Sequence, residues 1–253
     1  MIRNPIQTVL STLSTHNVRA LLMGGQACVL YGAAEFSRDT DLALFLSKEN
    51  IEAFRYALRE LHARRIALPP FDPTYLEKGH AIHFRCYHPD AMRMRVDVMS
   101  VMRGVDAFEQ LWQRRTTMKE NGGLTLEVLS LPDLVKAKKT QRRKDWEMIR
   151  RLVEADYAAP NDPSTARVEF WLMESRTPEM LVHLAETFRA EATGLAYKRP
   201  LLRHALSGDI HSLEVALQAE HIAEMDNDRN YWQPLRKELE DLRQAGYLSE
   251  EDV

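Results

Sequence analysis

Apolar residues along this chain change period several times, and each change marks an element. Ile6, Val9, Leu10 and Leu13 recur at helical spacing, and the run Ala20-Leu21-Leu22-Met23 then stops at Gly24-Gly25, which reads as helix, short strand and tight turn. Gln26 to Tyr31 is compact and apolar, and predicts a short helix whose N-terminus opens at the glycine pair and leaves backbone N–H groups free there. From Thr40 to Leu46, Leu42, Leu44 and Leu46 alternate with Asp41, Ala43 and Phe45, as a strand requires. Ser47 then caps an amphipathic helix running to about Arg65, with Ile51, Phe54, Leu58 and Leu61 on its apolar side.

Prolines make a loop of Leu68 to Pro73, after which Ala81 to Tyr87 and Met94 to Met99 alternate as two strands joined by a turn at His88-Pro89-Asp90. In the second strand Met94, Val96 and Val98 share one face, and Arg95, Asp97 and Met99 the other. Further short strands are expected around Leu124 to Val128. Leu131-Pro132-Asp133 then opens a helix to about Glu154. The Pro and Asp cluster from Ala158 to Pro163 marks a boundary. Beyond it helices are expected at about 164 to 175, 178 to 190, 200 to 207, 209 to 223 and 230 to 245. The pattern predicts an α+β fold, a mixed sheet flanked by helices followed by an all-helical C-terminal region, with domains at 1–158 and 159–253.

Composition narrows the class. The chain has 253 residues, 45% of them hydrophobic, and a formal charge of −3, enough for a sizeable core and without a global basic field to draw in nucleic acid. Two cysteines, Cys28 and Cys86, sit among apolar neighbours and read as core thiols of a reducing compartment. The N-terminal stretch has no uninterrupted apolar core, and no run approaches the ~18 residues that a membrane span needs. The expected location is the cytoplasm, with no membrane partner.

Asp39 and Asp41 lie one residue apart on a strand, so both carboxylates point one way and can share a hard cation. Alone, an Asp-x-Asp pair recurs at solvated strand ends and a Gly pair is a turn. Joined to Asp97 on a later strand, they supply the parts of a two-metal site beside a phosphate-welcoming loop. Arg38 adjoins the pair as a counter-charge, either for a ligand or for the aspartates themselves. Six basic residues and no acid occur from Lys136 to Lys144, a solvated face or an edge for triphosphate or RNA. His80 and His83 flank the strand before Asp97 and read as core or edge histidines. Tyr231-Trp232, Trp112, Trp146 and Trp171 read as core aromatics. No Cys/His cluster has the ligand spacing of a zinc site.

Gly24-Gly25, Asp39-Thr40-Asp41 and Asp97 together resemble the signature of the nucleotidyltransferase superfamily that includes DNA polymerase beta, over roughly residues 18 to 100. The stretch GGQACVLYGAAEFSRDTDLAL looks closest to the minimal bacterial nucleotidyltransferases, including those of abortive-infection and toxin-antitoxin systems. LPDLVKAKKTQRRKDWEMIRRL is similar to the helix that follows their catalytic core, where the recurring Lys and Lys-Asp pair would be Lys138 and Lys144-Asp145. Gly24-Gly25 departs from the more usual glycine-serine pair and lacks its hydroxyl. The resemblance implies an enzyme in which Asp39, Asp41 and Asp97 hold Mg²⁺, or Mn²⁺ in its place, and act in catalysis. Gly24, Gly25, Arg38 and Lys138 would then bind an NTP such as ATP. The acceptor would be tRNA or other RNA, a protein or a small molecule. An acidic pocket using Glu169, Glu174 or Glu191 would suit a cationic drug, and a basic groove from Lys136 to Arg151 would suit RNA. The alternative is a non-catalytic binding module that keeps the fold and pairs with an antitoxin protein.

Overall fold

The computed structural model describes residues 5–119, 123–160, 163–247 and 251–252. Two compact units divide the chain. The first comprises residues 1–30, 34–137 and 231–253, and the second residues 31–33 and 138–230. The expected boundary between 158 and 159 falls inside the second unit. Asn161 and Asp162, part of the expected boundary loop, lie outside the described residues.

An eight-stranded mixed sheet organises the first unit. Helix α1, Pro5–Thr15, leads to β1, Ala20–Met23, and directly into α2, Gly24–Leu30. Strand β2, Asp39–Leu44, and helix α3, Lys48–Glu60, follow. Ser47 caps α3 by accepting from the Asn50 N–H, as its side chain and position dictate. The expected extension to Arg65 fails, because the chain turns at His62, which has φ 50°. Arg64–Arg65 instead forms a short strand, β3. A short helix, α4, Pro73–Lys78, occupies the end of the expected proline loop, capped by Asp72 at its start and by left-handed Gly79 at its end. Then come β4, Ile82–Arg85, and β5, Arg95–Met99, joined through a 3-10 turn at Pro89–Ala91. Helix α5, Phe108–Arg114, strands β6, Thr116–Lys119, and β7, Thr125–Val128, and helix α6, Leu131–Ala137, complete the run.

The strand order is β6-β7-β1-β2-β5-β4-β3-β8, where β8 is Glu251–Asp252. The central pair β2 and β5 runs parallel, and β1 and β4 flank it antiparallel. Period-two alternation separates two faces. Thr40, Leu42, Leu44, Val96, Val98, Ile82 and Phe84 are buried, as are Val9 and Leu13 of α1 and Phe54 and Leu58 of α3. Asp39, Asp41, Arg95 and Asp97 alternate with these buried positions and stay half-buried. Both thiols are buried and form no disulfide, and burial pushes the Cys86 thiol up to about 12.

The second unit is helical in its described residues: α7, Arg143–Ala158; α8, Thr165–Glu174; α9, Pro178–Thr187; α10, Arg189–Leu195; α11, Leu202–Ser207; and the part of α12, Ile210–Gln244, up to Asn230. The helix expected from Leu131 to Glu154 is broken at residues 138–142. Side chains of the next helix hold the break. Asp145 accepts from the Thr140 hydroxyl at 2.6 Å and from Arg142 Nε at 2.7 Å, and Trp146 Nε1 donates to the Thr140 carbonyl. The Gln141 N–H meets the buried Asp228 carboxylate at 2.9 Å. Expected helices at 209–223 and 230–245 are one continuous helix, with Pro234 inside it. Trp146 and Trp171 are buried, in keeping with core aromatics. No helix among the described residues is long and apolar enough to cross a membrane.

From Tyr231 onward α12 belongs to the first unit and braces the β4 flank. Its Glu238 accepts from Lys78 Nζ at 2.5 Å and lies 2.7 Å from Nε2 of the buried His80. The Lys78 and His80 hydrogen bonds hold the Glu238 carboxyl below its ordinary value. A depressed folded value means that this contribution is complete above the unfolded carboxylate value of 4.5 and is lost as pH falls through the folded one. Urea denaturation between about pH 3 and pH 6 should show wild type gaining stability over Glu238→Gln as pH rises, with the difference vanishing at the acid end.

Candidate functional site

The parallel register of β2 and β5 aligns Asp41 with Asp97 and Asp39 with Arg95. Antiparallel β4 then sets His83 opposite Asp97. Because neighbouring strands lie ~4.8 Å apart and aligned residues share a face, Asp39, Asp41, Asp97, Arg95 and His83 form one patch. Thr40, between the two aspartates, is fully buried on the other face.

The glycine pair lies at the edge of this patch. Met23, the last residue of β1, is aligned with Asp41, so the chain enters α2 beside that carboxylate. Gly24 has φ +62°, a left-handed conformation that costs a side-chain-bearing residue about 1–2 kcal/mol. A Cβ on Gly24 would overlap Asp41 Oδ2, and one on Gly25 would overlap Ser37 Oγ. Glycine is therefore required here for close approach as well as for conformation. The Gly25 N–H reaches Asp41 Oδ2 at 3.3 Å, so the first turn of α2 faces an anion supplied by the chain itself. Ser37 and Gln26 secure the loop between α2 and β2: Ser37 Oγ donates to the Asp39 carbonyl at 3.2 Å, and Gln26 Nε2 donates to the Ser37 carbonyl at 3.1 Å.

Asp97 is held from the opposite side. Its Oδ1 accepts from Arg95 Nε at 2.7 Å and lies 2.9 Å from His83 Nδ1, with the side chain 15% exposed. Burial pushes this carboxyl up. The hydrogen bonds and charges of His83 and Arg95 outweigh it and hold Asp97 below the usual carboxylate range. Arg95 in turn is held charged by Asp97, Asp39 and Asp41 against the cost of its own partial burial.

Five of the residues singled out in the sequence, Gly24, Gly25, Asp39, Asp41 and Asp97, thus come together in the first unit. Arg38 is exposed, its guanidinium 5.9 Å from the centre of the exposed Phe36 ring. Lys138 belongs to the second unit, where its Nζ lies 3.5 Å from Asp145 Oδ1. Lys136, Lys139 and Arg142 in the same basic run are also in ion pairs, with Asp133, Glu174 and Asp145. His83 joins the site, whereas His80 serves the α12 contact. Arg95 was not singled out from the sequence. The signal was there: strand alternation puts it on the Asp97 face.

A hard divalent cation is chemically suited to this donor set of three carboxylates on one face. As the side chains stand, no group of three or more His, Cys, Asp or Glu among the described residues encloses an ion. Both acids are engaged by the chain itself: Asp41 Oδ2 accepts from the Gly25 N–H, and Asp97 Oδ1 meets Arg95 and His83.

Comparison with solved structures finds similarity to the antibiotic-resistance factor ANT(2'')-Ia, at 15% identity and a TM-score of 0.36, covering 77% of this chain and 94% of that one. No family model matches the sequence, and no curated protein matches it.

The fit between Gly24 and Asp41 can be measured against Gly104, which has a similar φ of +71° but open space where a Cβ would go. Gly104→Ala should cost about 1–2 kcal/mol in denaturant titrations, the backbone strain alone. Gly24→Ala should cost more, because the carboxylate must also move. Equal losses would show that Asp41 does not press on the turn.

Proposed function

We propose that this chain is a nucleotidyltransferase, moving a nucleoside monophosphate from an NTP to an acceptor hydroxyl with release of pyrophosphate. The observation that carries this reading is the Asp41–Asp97 register, with Asp39 on the same face and a glycine-made helix start against Asp41. Acids gathered beside the start of a helix suit a ligand that is itself polyanionic and arrives with cations.

Asp39, Asp41 and Asp97 are the residues that would hold Mg²⁺ or Mn²⁺. Such an ion, when bound, neutralises triphosphate charge and polarises the α-phosphorus. The chain's own groups do the rest. The N–H groups at Gly24 and Gly25 cradle the β- and γ-phosphates, the long Gly25 to Asp41 hydrogen bond being one that a phosphate can replace. Asp97 takes the proton as the acceptor oxygen forms its bond to the α-phosphorus and the bond to pyrophosphate breaks. Its depressed pKa keeps it ionised. Arg38, exposed at the head of β2, supplies positive charge to the departing phosphates. The acceptor is RNA, a protein or a small molecule.

Labelled NTPs incubated with the protein, Mg²⁺ and a cell extract test this reading and identify the acceptor from where the label lands. Asp39→Ala and Asp41→Ala should lower transfer by more than about a hundredfold, since even outer-shell partners of a metal are worth 10–100-fold. Both variants should keep a native melting profile, because neither side chain is core. Wild-type-like transfer by either one would remove these aspartates from the chemistry.

A further inference from the structure

Arg95 stands among the three carboxylates. It is aligned with Asp39 across the parallel ladder, donates from Nε to Asp97 Oδ1 at 2.7 Å, and places Nη2 3.1 Å from His83 Nδ1. Arginine does not lose its proton in proteins, so this charge leaves the patch only if the side chain moves. The contact with His83 is conditional. Nδ1 can donate to Asp97 at 2.9 Å or accept from Arg95, but one nitrogen cannot do both. Arg95 is thus bound firmly to Asp97 alone, through one guanidinium nitrogen, with the rest of its fork weakly committed.

A guanidinium held against Asp97 and a divalent cation bound by the same carboxylate compete, because like charges at that distance repel and Oδ1 already accepts from Arg95. We propose that Arg95 is a resident counter-ion of this site, which a divalent cation displaces from Asp97 and which then takes a phosphate group of the nucleotide. This rests on the nucleotidyltransferase reading. A planar guanidinium fork suits two phosphate oxygens as it suits a carboxylate, so a nucleotide phosphate satisfies the displaced charge. Cation and nucleotide therefore bind with positive coupling, each raising the other's affinity by the same factor. Arg95 thus competes with the cation for Asp97 and is a binding residue for the nucleotide.

Binding of Mn²⁺ by electron paramagnetic resonance, with and without a nonhydrolysable NTP, tests this on wild type, Arg95→Ala and Arg95→Gln. The glutamine variant keeps a polar side chain should the alanine one fail to fold. Without nucleotide, both variants should bind Mn²⁺ about tenfold more tightly than wild type, because no charge has to be displaced. The nucleotide should tighten Mn²⁺ binding in wild type and do so by a smaller factor in the variants. Equal or weaker Mn²⁺ binding by the variants overturns the role of Arg95 and leaves the cation reading standing. An undiminished nucleotide effect in the variants overturns the transfer of Arg95 to phosphate. Absence of Mn²⁺ binding from all three proteins overturns both this inference and the cation site beneath it.

Discussion

Two carboxylates in neighbouring parallel strands, Asp41 and Asp97, occupy one register position, and the surrounding structure answers the repulsion that this alignment creates. Like charges side by side on one face of a sheet are destabilising. Each acid has its own answer. Asp41 takes the N–H of Gly25 at the start of α2, and Asp97 takes Arg95 and His83. Such a cluster is difficult to explain as packing. A core would replace these acids with apolar residues, and a solvated face would leave them apart.

Local sequence and tertiary arrangement meet at the glycine pair. Gly24 permits the left-handed turn from β1 into α2, and the missing side chain lets Asp41 lie against that turn. A residue with a Cβ would push the carboxylate away and strain the backbone together. The same two atoms of space thus serve conformation, electrostatics and, on the proposed reading, access for phosphate. On the far side, Glu238 of α12 meets Lys78 and His80, just before β4, and β4 carries the His83 that meets Asp97.

Elements whose period was unbroken were legible from the sequence: β1 before the glycines, the alternating β2 and β5, and α3 behind its Ser47 cap. Alternation placed Asp39 and Asp41 on one face of β2 and Asp97 opposite the apolar face of β5; that these faces are one follows from the strand pairing. What was not legible depends on long-range partners. The break at residues 138–142 is held by Asp145, Trp146 and Asp228, of which Asp228 is 87 positions away from the residue it binds. The return of α12 to the first unit depends on contacts such as Lys78 with Glu238, 160 positions apart. Arg95 was missed for a different reason. Its place on the Asp97 face was visible, but its partners, Asp39 in the ladder and His83 on β4, appear only once the strands are paired.

The most direct measurement of the central claim is a crystal structure with Mn²⁺ and a nonhydrolysable NTP, with manganese located by its anomalous signal. The expected result is manganese bonded at about 2.0–2.3 Å to carboxylate oxygens of Asp39 and Asp41, with the triphosphate along the Gly24-Gly25 turn. Manganese and nucleotide bound away from the Asp39, Asp41 and Asp97 face would contradict it.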